Sequence, residues 1–179
     1  MARLRPARTM NRPNSQAWSR YSLKKPRKNY VRALPHTSLL VFNMGVRKET
    51  YDLEITLRPE TLIQLRSNAL ESARQTANKY METNIPQEFQ FKVMVYPHNV
   101  IREHKMATGA GADRISRGMS QAFGRPTFVA ARVKPGQTVF KVNTNAQHKA
   151  VVMEAFRRAA SKLSGTYRIR AIMASPAVN

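Results

Sequence analysis

Residues 51–80 read YDLEITLRPETLIQLRSNALESARQTANKY. Two periods meet in this stretch. Tyr51, Leu53, Ile55 and Leu57 alternate with Asp52, Glu54 and Thr56, the period-two pattern of a strand with one buried face. Arg58-Pro59-Glu60-Thr61 then supplies a proline and an acid suited to a first helical turn. Leu62, Leu65, Ala69, Ala73, Ala77 and Tyr80 recur at steps of three and four. The spacing predicts a helix from that turn to about Asn84 with one apolar stripe, ended by Pro86.

Strand and helix signals continue on both sides. SLLVFNMG, residues 38–45, predicts a short buried strand ending at Gly45. In FQFKVMV, residues 89–95, Phe89, Phe91, Val93 and Val95 share a face, and Val100-Ile101 begin another extended segment. Residues 128–133 and 138–144 read as two strands joined by Lys134-Pro135-Gly136-Gln137, whose proline and glycine suit a tight turn, so a hairpin is expected. Asn145 is placed to cap a second helix over 146–163, with Val152, Phe156, Ala159 and Leu163 apolar, and Gly165 stops it. TYRIRAI, residues 166–172, is a final strand with Tyr167, Ile169 and Ala171 on one face and Arg168 and Arg170 on the other. This order predicts one α+β domain, with a mixed or antiparallel sheet carrying two helices on one face. An extended basic segment, 1–37, precedes the domain at 38–174, and 175–179 form a tail.

Charge narrows the function. The 179 residues hold 31 Lys and Arg against 10 acids, a net charge of +21. Such a chain repels itself unless a polyanion neutralises it, and nucleic acid is the obvious one. An anionic membrane is the alternative partner. No apolar run approaches the ~18 residues of a spanning helix, and no apolar region follows the basic start as in a secretory signal, so no membrane role is expected. With no cysteine, disulfides and thiolate-bound zinc are excluded.

The charge is also segregated: +12 over residues 1–48, −2 over 49–101 and +11 over 102–179. In the first segment Pro6, Pro13, Pro26 and Pro35 break any long helix, and Trp18, Tyr21 and Tyr30 interleave with cations. Candidate RNA-contacting residues are Arg3, Arg5, Arg8, Arg12, Arg20, Lys24, Lys25, Arg27 and Lys28 for phosphates, and Trp18 and Tyr21 for stacking. A solvated basic tail or a localisation signal is the plainer alternative. The arginine face of the last strand, Arg168 and Arg170, is a candidate to cover RNA.

HKMATGAGADRISRGMSQAFGRP, residues 104–126, holds four of the seven glycines. A nucleotide-binding enzyme built on GAGADR is the competing reading. A dinucleotide fingerprint needs G-x-G-x-x-G opening a helix straight after a strand, yet Arg114 stands at the third small position. The phosphate-loop pattern G-x-x-x-x-G-K-[ST] is absent. His98 and His104 are six apart, and His36 and His148 are distant, so no metal-ligand spacing arises. No catalytic residue, cofactor or metal is therefore expected. Asp113 reads as a helix N-cap or a partner for Arg114 or Arg117. What remains is a loop over about 104–121 whose length marks it as functional or disordered. Its candidate contacts are Arg102, His104, Lys105, Arg114, Arg117 and Arg125, with Gly109 and Gly111 letting the backbone approach a ligand.

A family resemblance joins these pieces. Arg5-Pro6-Ala7-Arg8, Ala69-Leu70-Glu71, Ala77-Asn78-Lys79-Tyr80-Met81, Val100-Ile101-Arg102 and Lys105-Met106 match one pattern. So do Ala110-Gly111-Ala112-Asp113-Arg114, Gly118-Met119, Ala122-Phe123-Gly124-Arg125-Pro126, Ala131-Arg132-Val133, Gly136-Gln137 and Glu154-Ala155-Phe156-Arg157-Arg158-Ala159. In this order and spacing, over nearly the whole chain, they resemble large-subunit ribosomal protein sixteen in its archaeal and eukaryotic branch, historically protein ten-e. The resemblance implies an α/β-hammerhead-like fold and a non-enzymatic, structural role in the large subunit, in the cytoplasm. It implies binding to large-subunit rRNA near 5S rRNA and the central protuberance, beside neighbouring ribosomal proteins. It also implies that the loop at 104–121 points toward tRNA and the peptidyl transferase centre. The sequence departs from the pattern after Gly124: Arg125 replaces lysine and Phe128-Val129 replace Gly-Thr, leaving the start of the following strand open. The lack of cysteine leans archaeal.

Overall fold

The alternating run at the head of the quoted stretch forms the strand β2, Leu53–Pro59, which lies inside a five-stranded sheet. The computed structural model describes residues 4–9, 11–13, 31, 33–48, 51–120 and 122–173. In chain order the elements are β1 (Asn43–Gly45), β2, β3 (Ile63–Arg66), α1 (Ser67–Asn84), β4 (Phe89–Val93), β5 (Asn99–Glu103), α2 (Ala112–Ile115), β6 (Arg125–Val133), β7 (Phe140–Thr144), α3 (Lys149–Ala160) and β8 (Tyr167–Met173). They make a five-stranded sheet ordered β1-β4-β7-β2-β8 and a three-stranded sheet ordered β3-β6-β5. Every strand pair is antiparallel. The α+β architecture expected from the sequence is the observed one, divided between two sheets.

One face of the larger sheet carries the core. Leu53, Ile55 and Leu57 of β2, Phe89, Phe91 and Val93 of β4, and Phe140 and Val142 of β7 point to the same side and are buried. There they meet Leu70, Ala73, Ala77 and Met81 of α1 and Val152, Ala155, Phe156 and Ala159 of α3. The alanines are the closely packed part of the contact between the two helices, since a small side chain lets helix axes approach. Phe91, Phe140 and Phe156 form a ring cluster, with Phe91 and Phe140 edge to face at 5.3 Å between centroids.

The helix after β2 starts later than its spacing predicts. Pro59 ends the strand, and Ile63–Arg66 form β3 before α1 begins at Ser67. Leu62 and Leu65 fit a helical step, but Ile63 and Leu65 alternate with Gln64 and Arg66, and pairing with β6 selects the alternation. The buried stripe of α1 is accordingly Leu70, Ala73, Ala77 and Met81, while Ala69 and Tyr80 lie only partly buried beside it.

The expected hairpin is a crossing between the sheets. β6 pairs with β3 and β5, whereas β7 pairs with β2 and β4. The turn is present, with Gln137 N–H donating to Lys134 O at 3.1 Å. It is held by the end of β2: Gly136 N–H donates to Pro59 O and Val139 N–H to Leu57 O, both at 2.9 Å. The second helix is likewise shorter than expected, a 3-10 turn at Ala146–His148 leading into α3. Asn145 supplies its carbonyl to His148 N–H, not a side-chain cap. The first strand is confined to Asn43–Gly45.

Candidate nucleic-acid interface

The glycine-studded segment leaves β5 at Glu103 and returns at Arg125, where β6 begins. β6 therefore runs straight through the place where the sequence departs from the family pattern. Pro126 is tolerated because at that end β6 is bonded only to β5, beside an irregularity between Ile101 and Arg102. The loop has its own local structure. Gly111, at φ 73°, opens the single turn α2, so its left-handed backbone is what a side chain there would resist. His104 Nε2 lies 2.8 Å from Gly118 O and ties the two arms together.

The stem is packed tightly. Arg102 is 6% exposed, and its guanidinium sits 3.8 Å from the centre of the Phe123 ring. Gly124, at φ 76°, passes so close to β5 that a Cβ would stand 2.9 Å from Glu103 C and His104 N. Lys105, Arg114, Arg117 and Arg125 are exposed. So are Met106, Ile115, Met119 and Phe123, with Ile115 83% exposed. Of the sequence-predicted loop contacts, the structure thus puts Lys105, Gly109, Gly111, Arg114, Arg117 and Arg125 on the surface, and Arg102 and His104 in the stem that supports them. Asp113 stands in the first turn of α2 and makes no ion pair among the described residues, so neither of its expected roles is seen.

The N-terminal segment reaches the outer side of the three-stranded sheet. Gln64 N–H donates to Asn11 O at 2.7 Å, and Arg66 Nη1 donates to Arg5 O at 2.8 Å. Arg5 Nε lies 3.8 Å from Glu103. Burial lowers the basicity of Arg66, partly offset by Glu103. Arg8 and Arg12 are exposed. Arg3, Trp18, Arg20, Tyr21, Lys24, Lys25, Arg27 and Lys28 lie outside the described residues.

Arg168 and Arg170 stand exposed on β8, on the helix-free side of the larger sheet. Sequence reading missed their companions. Arg58 is the Cα partner of Arg168, and Thr56, the partner of Arg170, is also the partner of Lys141 on β7. Lys141 is in turn the partner of Lys92. Each of these cations holds a polar position in an alternating run, which is the signal that could have found them, but the pairing that gathers them joins strands distant in sequence.

Among the described residues no helix is long and apolar enough to cross a membrane, and no three His, Cys, Asp or Glu side chains are gathered as for a metal. Residues 18–170 match the family described as ribosomal protein L16p/L10e. The chain is similar to the large ribosomal subunit protein uL16 of Archaeoglobus fulgidus, 41% identical over 155 residues, covering 86% of this chain and 89% of that one. It is 43% identical over 169 residues to the protein of the same name from Hyperthermus butylicus, covering 94% of this chain and 93% of the relative. The corresponding figures for Staphylothermus marinus are 44% over 144 residues, 80% and 83%. These relatives are named as ribosomal subunit proteins and not as enzymes, and their sources fit the archaeal leaning of the sequence. On the family match and these identities, the chain belongs to the ribosomal protein L16p/L10e family.

Proposed function

We propose that the chain is a structural constituent of the large ribosomal subunit, working in the cytoplasm in translation and subunit assembly. Its cations neutralise large-subunit rRNA close to 5S rRNA and the central protuberance, among neighbouring ribosomal proteins. The segment at 1–37, including Arg3, Arg5, Arg8, Arg12 and the cations and aromatics at 18–28, threads between rRNA helices, and Arg168 and Arg170 add contacts from the domain at 38–174. The loop over 104–121 extends toward tRNA and the peptidyl transferase centre, presenting Lys105, Arg114 and Arg117 there.

The observation that carries this reading is the family match joined to a net charge of +21 in two basic blocks. The stem geometry supports the role of the loop: a finger tied by His104 and floored by Arg102 and Phe123 can hold exposed cations at a distance from the body. The direct test is co-sedimentation with large subunits, together with replacement of residues 106–119 by a short Gly-Ser link. The shortened protein is expected to fold and to join the subunit, but to impair tRNA accommodation or late maturation. Failure of the intact chain to co-sediment at moderate salt would defeat the ribosomal role. Normal tRNA accommodation by loop-deleted subunits would defeat only the role of the loop.

A further inference from the structure

The larger sheet has α1 and α3 on one side, and its other side bears cations in register. One row across it runs Arg170, Thr56, Lys141, Lys92 and Asn43, each the Cα partner of the next. The row beside it pairs Arg168 with Arg58, and the row on the other side runs Ile172, Glu54, Asn143, Gln90 and Gly45. Residues directly opposite in a sheet point to the same side, so these rows form one surface. Strands stand about 4.8 Å apart, which spreads Arg170, Lys141 and Lys92 over roughly 14 Å.

Charge on this surface is unbalanced and partly uncommitted. Five cations face Glu54 within the rows and Glu60 at the rim. Glu54 takes Lys141 at 2.6 Å and Glu60 takes Arg168 at 3.2 Å. Arg58 donates to the Thr56 hydroxyl at 3.2 Å, which leaves its outer nitrogens available. The side chains of Arg170 and Lys92 make no hydrogen bond or ion pair among the described residues. Between the ends of β2 and β8 and the turn at 134–137 lies a notch of about 370 Å³, lined by Arg58, Pro59, Glu60, Gly136, Arg168 and Arg170. No aromatic side chain stands in the rows, because Phe89, Phe91 and Phe140 all point to the core. A stacking platform needs aromatics, whereas a row of guanidinium and ammonium groups meets phosphates.

We propose that this helix-free face is a second, sequence-independent docking surface for the sugar-phosphate backbone of helical RNA, with Arg58, Arg168 and Arg170 gripping phosphate at the notch, Lys92 and Lys141 continuing the track, and Glu60 competing for Arg168. The inference rests on the RNA-binding reading above and assigns it a surface. Glu60 gives the proposal a signature of opposite sign: RNA must displace the carboxylate from Arg168, so removing that carboxylate strengthens binding.

The test uses the full chain and a 20-base-pair RNA duplex of arbitrary sequence, with affinity measured across a salt series. Arg58→Gln/Lys92→Gln/Arg170→Gln together are expected to lower the slope of log affinity against log salt by about 2 to 3, and affinity at low salt by tenfold or more. Glu60→Gln is expected to tighten binding several-fold. Thermal unfolding of both variants is expected to match the parent, because the substituted groups are on the surface. Parent protein that fails to bind the duplex overturns the RNA reading itself. Parent binding with an unchanged slope in the triple variant, or with Glu60→Gln neutral, overturns this surface alone. A polyglutamate peptide that competes as well as the duplex assigns the face to an acidic polypeptide and overturns it as well.

Discussion

His104 Nε2 stands 2.8 Å from the carbonyl oxygen of Gly118, joining residues fourteen positions apart across the arms of the loop. A long basic loop would otherwise sample many conformations, and each fixed residue costs about 1–2 kcal/mol of backbone entropy. The bond makes the distal part, with α2 and Arg114, a unit carried on a stem. His104→Ala is expected to leave global stability within about 1 kcal/mol, since the bond is partly solvated and local. Amide exchange over residues 105–119 should accelerate several-fold. Unchanged exchange across the loop would show that the tie does not restrain it.

A glycine inside the loop and one at its return stem should respond differently to alanine. Both Gly111 and Gly124 have positive φ, which costs a side-chain-bearing residue about 1 kcal/mol or more. At Gly111 nothing lies within 4 Å of the added methyl. At Gly124 it would meet Glu103 C and His104 N at 2.9 Å, backbone atoms at the end of β5 that cannot swing away. Gly124→Ala should therefore cost about 2–4 kcal/mol and separate the start of β6 from β5, against about 1 kcal/mol for Gly111→Ala. Denaturant unfolding of the two variants checks the order; equal losses would mean that backbone conformation alone sets the cost.

How much of this was legible in the sequence depended on whether the deciding partner was near. The alternation of Leu53, Ile55 and Leu57 needed no partner to be read, and β2 lies where it predicts. Leu65 satisfies both periods, with Leu62 as a helical step and with Ile63 as a strand alternation, and the arbiter is β6, whose paired residues begin at Ala130. Lys134–Gln137 turned as its residues demand, but whether it closed a hairpin depended on Leu57 and Pro59 capturing the chain for the other sheet. The interface followed the same rule. Arg168 and Arg170 were readable from one strand, whereas Lys92, Lys141 and Arg58 joined them only through cross-strand register. Arg102 was legible as basic and adjacent to the loop, but not as a side chain buried beneath Phe123.

The ring cluster under α3 carries the joint between the helices and the larger sheet. Phe156 is fully buried against Phe91 and Phe140, with centroids 6.3 and 6.5 Å away. Phe156→Ala removes most of that apolar contact and leaves a cavity that Ala155 and Ala159 are too small to fill. The expected loss is about 3–5 kcal/mol. Phe156→Leu should lose less, because much of the volume stays. Calorimetry on both variants separates the cases: losses of equal size would indicate that the ring geometry, not volume, is what α3 contributes.

Glu71 supplies a pH dependence whose direction is fixed by its surroundings. The hydrogen bond from Arg74 holds its carboxyl below the usual range, against the opposing effect of burial, and Gln75 donates to the same carboxylate at 2.8 Å. Arg74 Nη1 also reaches Met44 Sδ at 2.9 Å, so the pair fastens α1 to the edge strand β1. A carboxyl whose folded pKa lies below its unfolded value binds fewer protons in the native state. Its contribution is full above the unfolded value of about 4.5 and fades as pH falls through the lower folded value. Glu71→Gln should cost about 1 kcal/mol at neutral pH, keep the bond to Met44, and flatten this part of the acid limb. Below the folded pKa, where the parent carboxyl is itself protonated, the two proteins should converge in stability. Urea unfolding at neutral pH and at successive steps below pH 4.5 measures the gap, and a gap that stays constant into acid would mean that the Arg74 bond does not stabilise the ionised form.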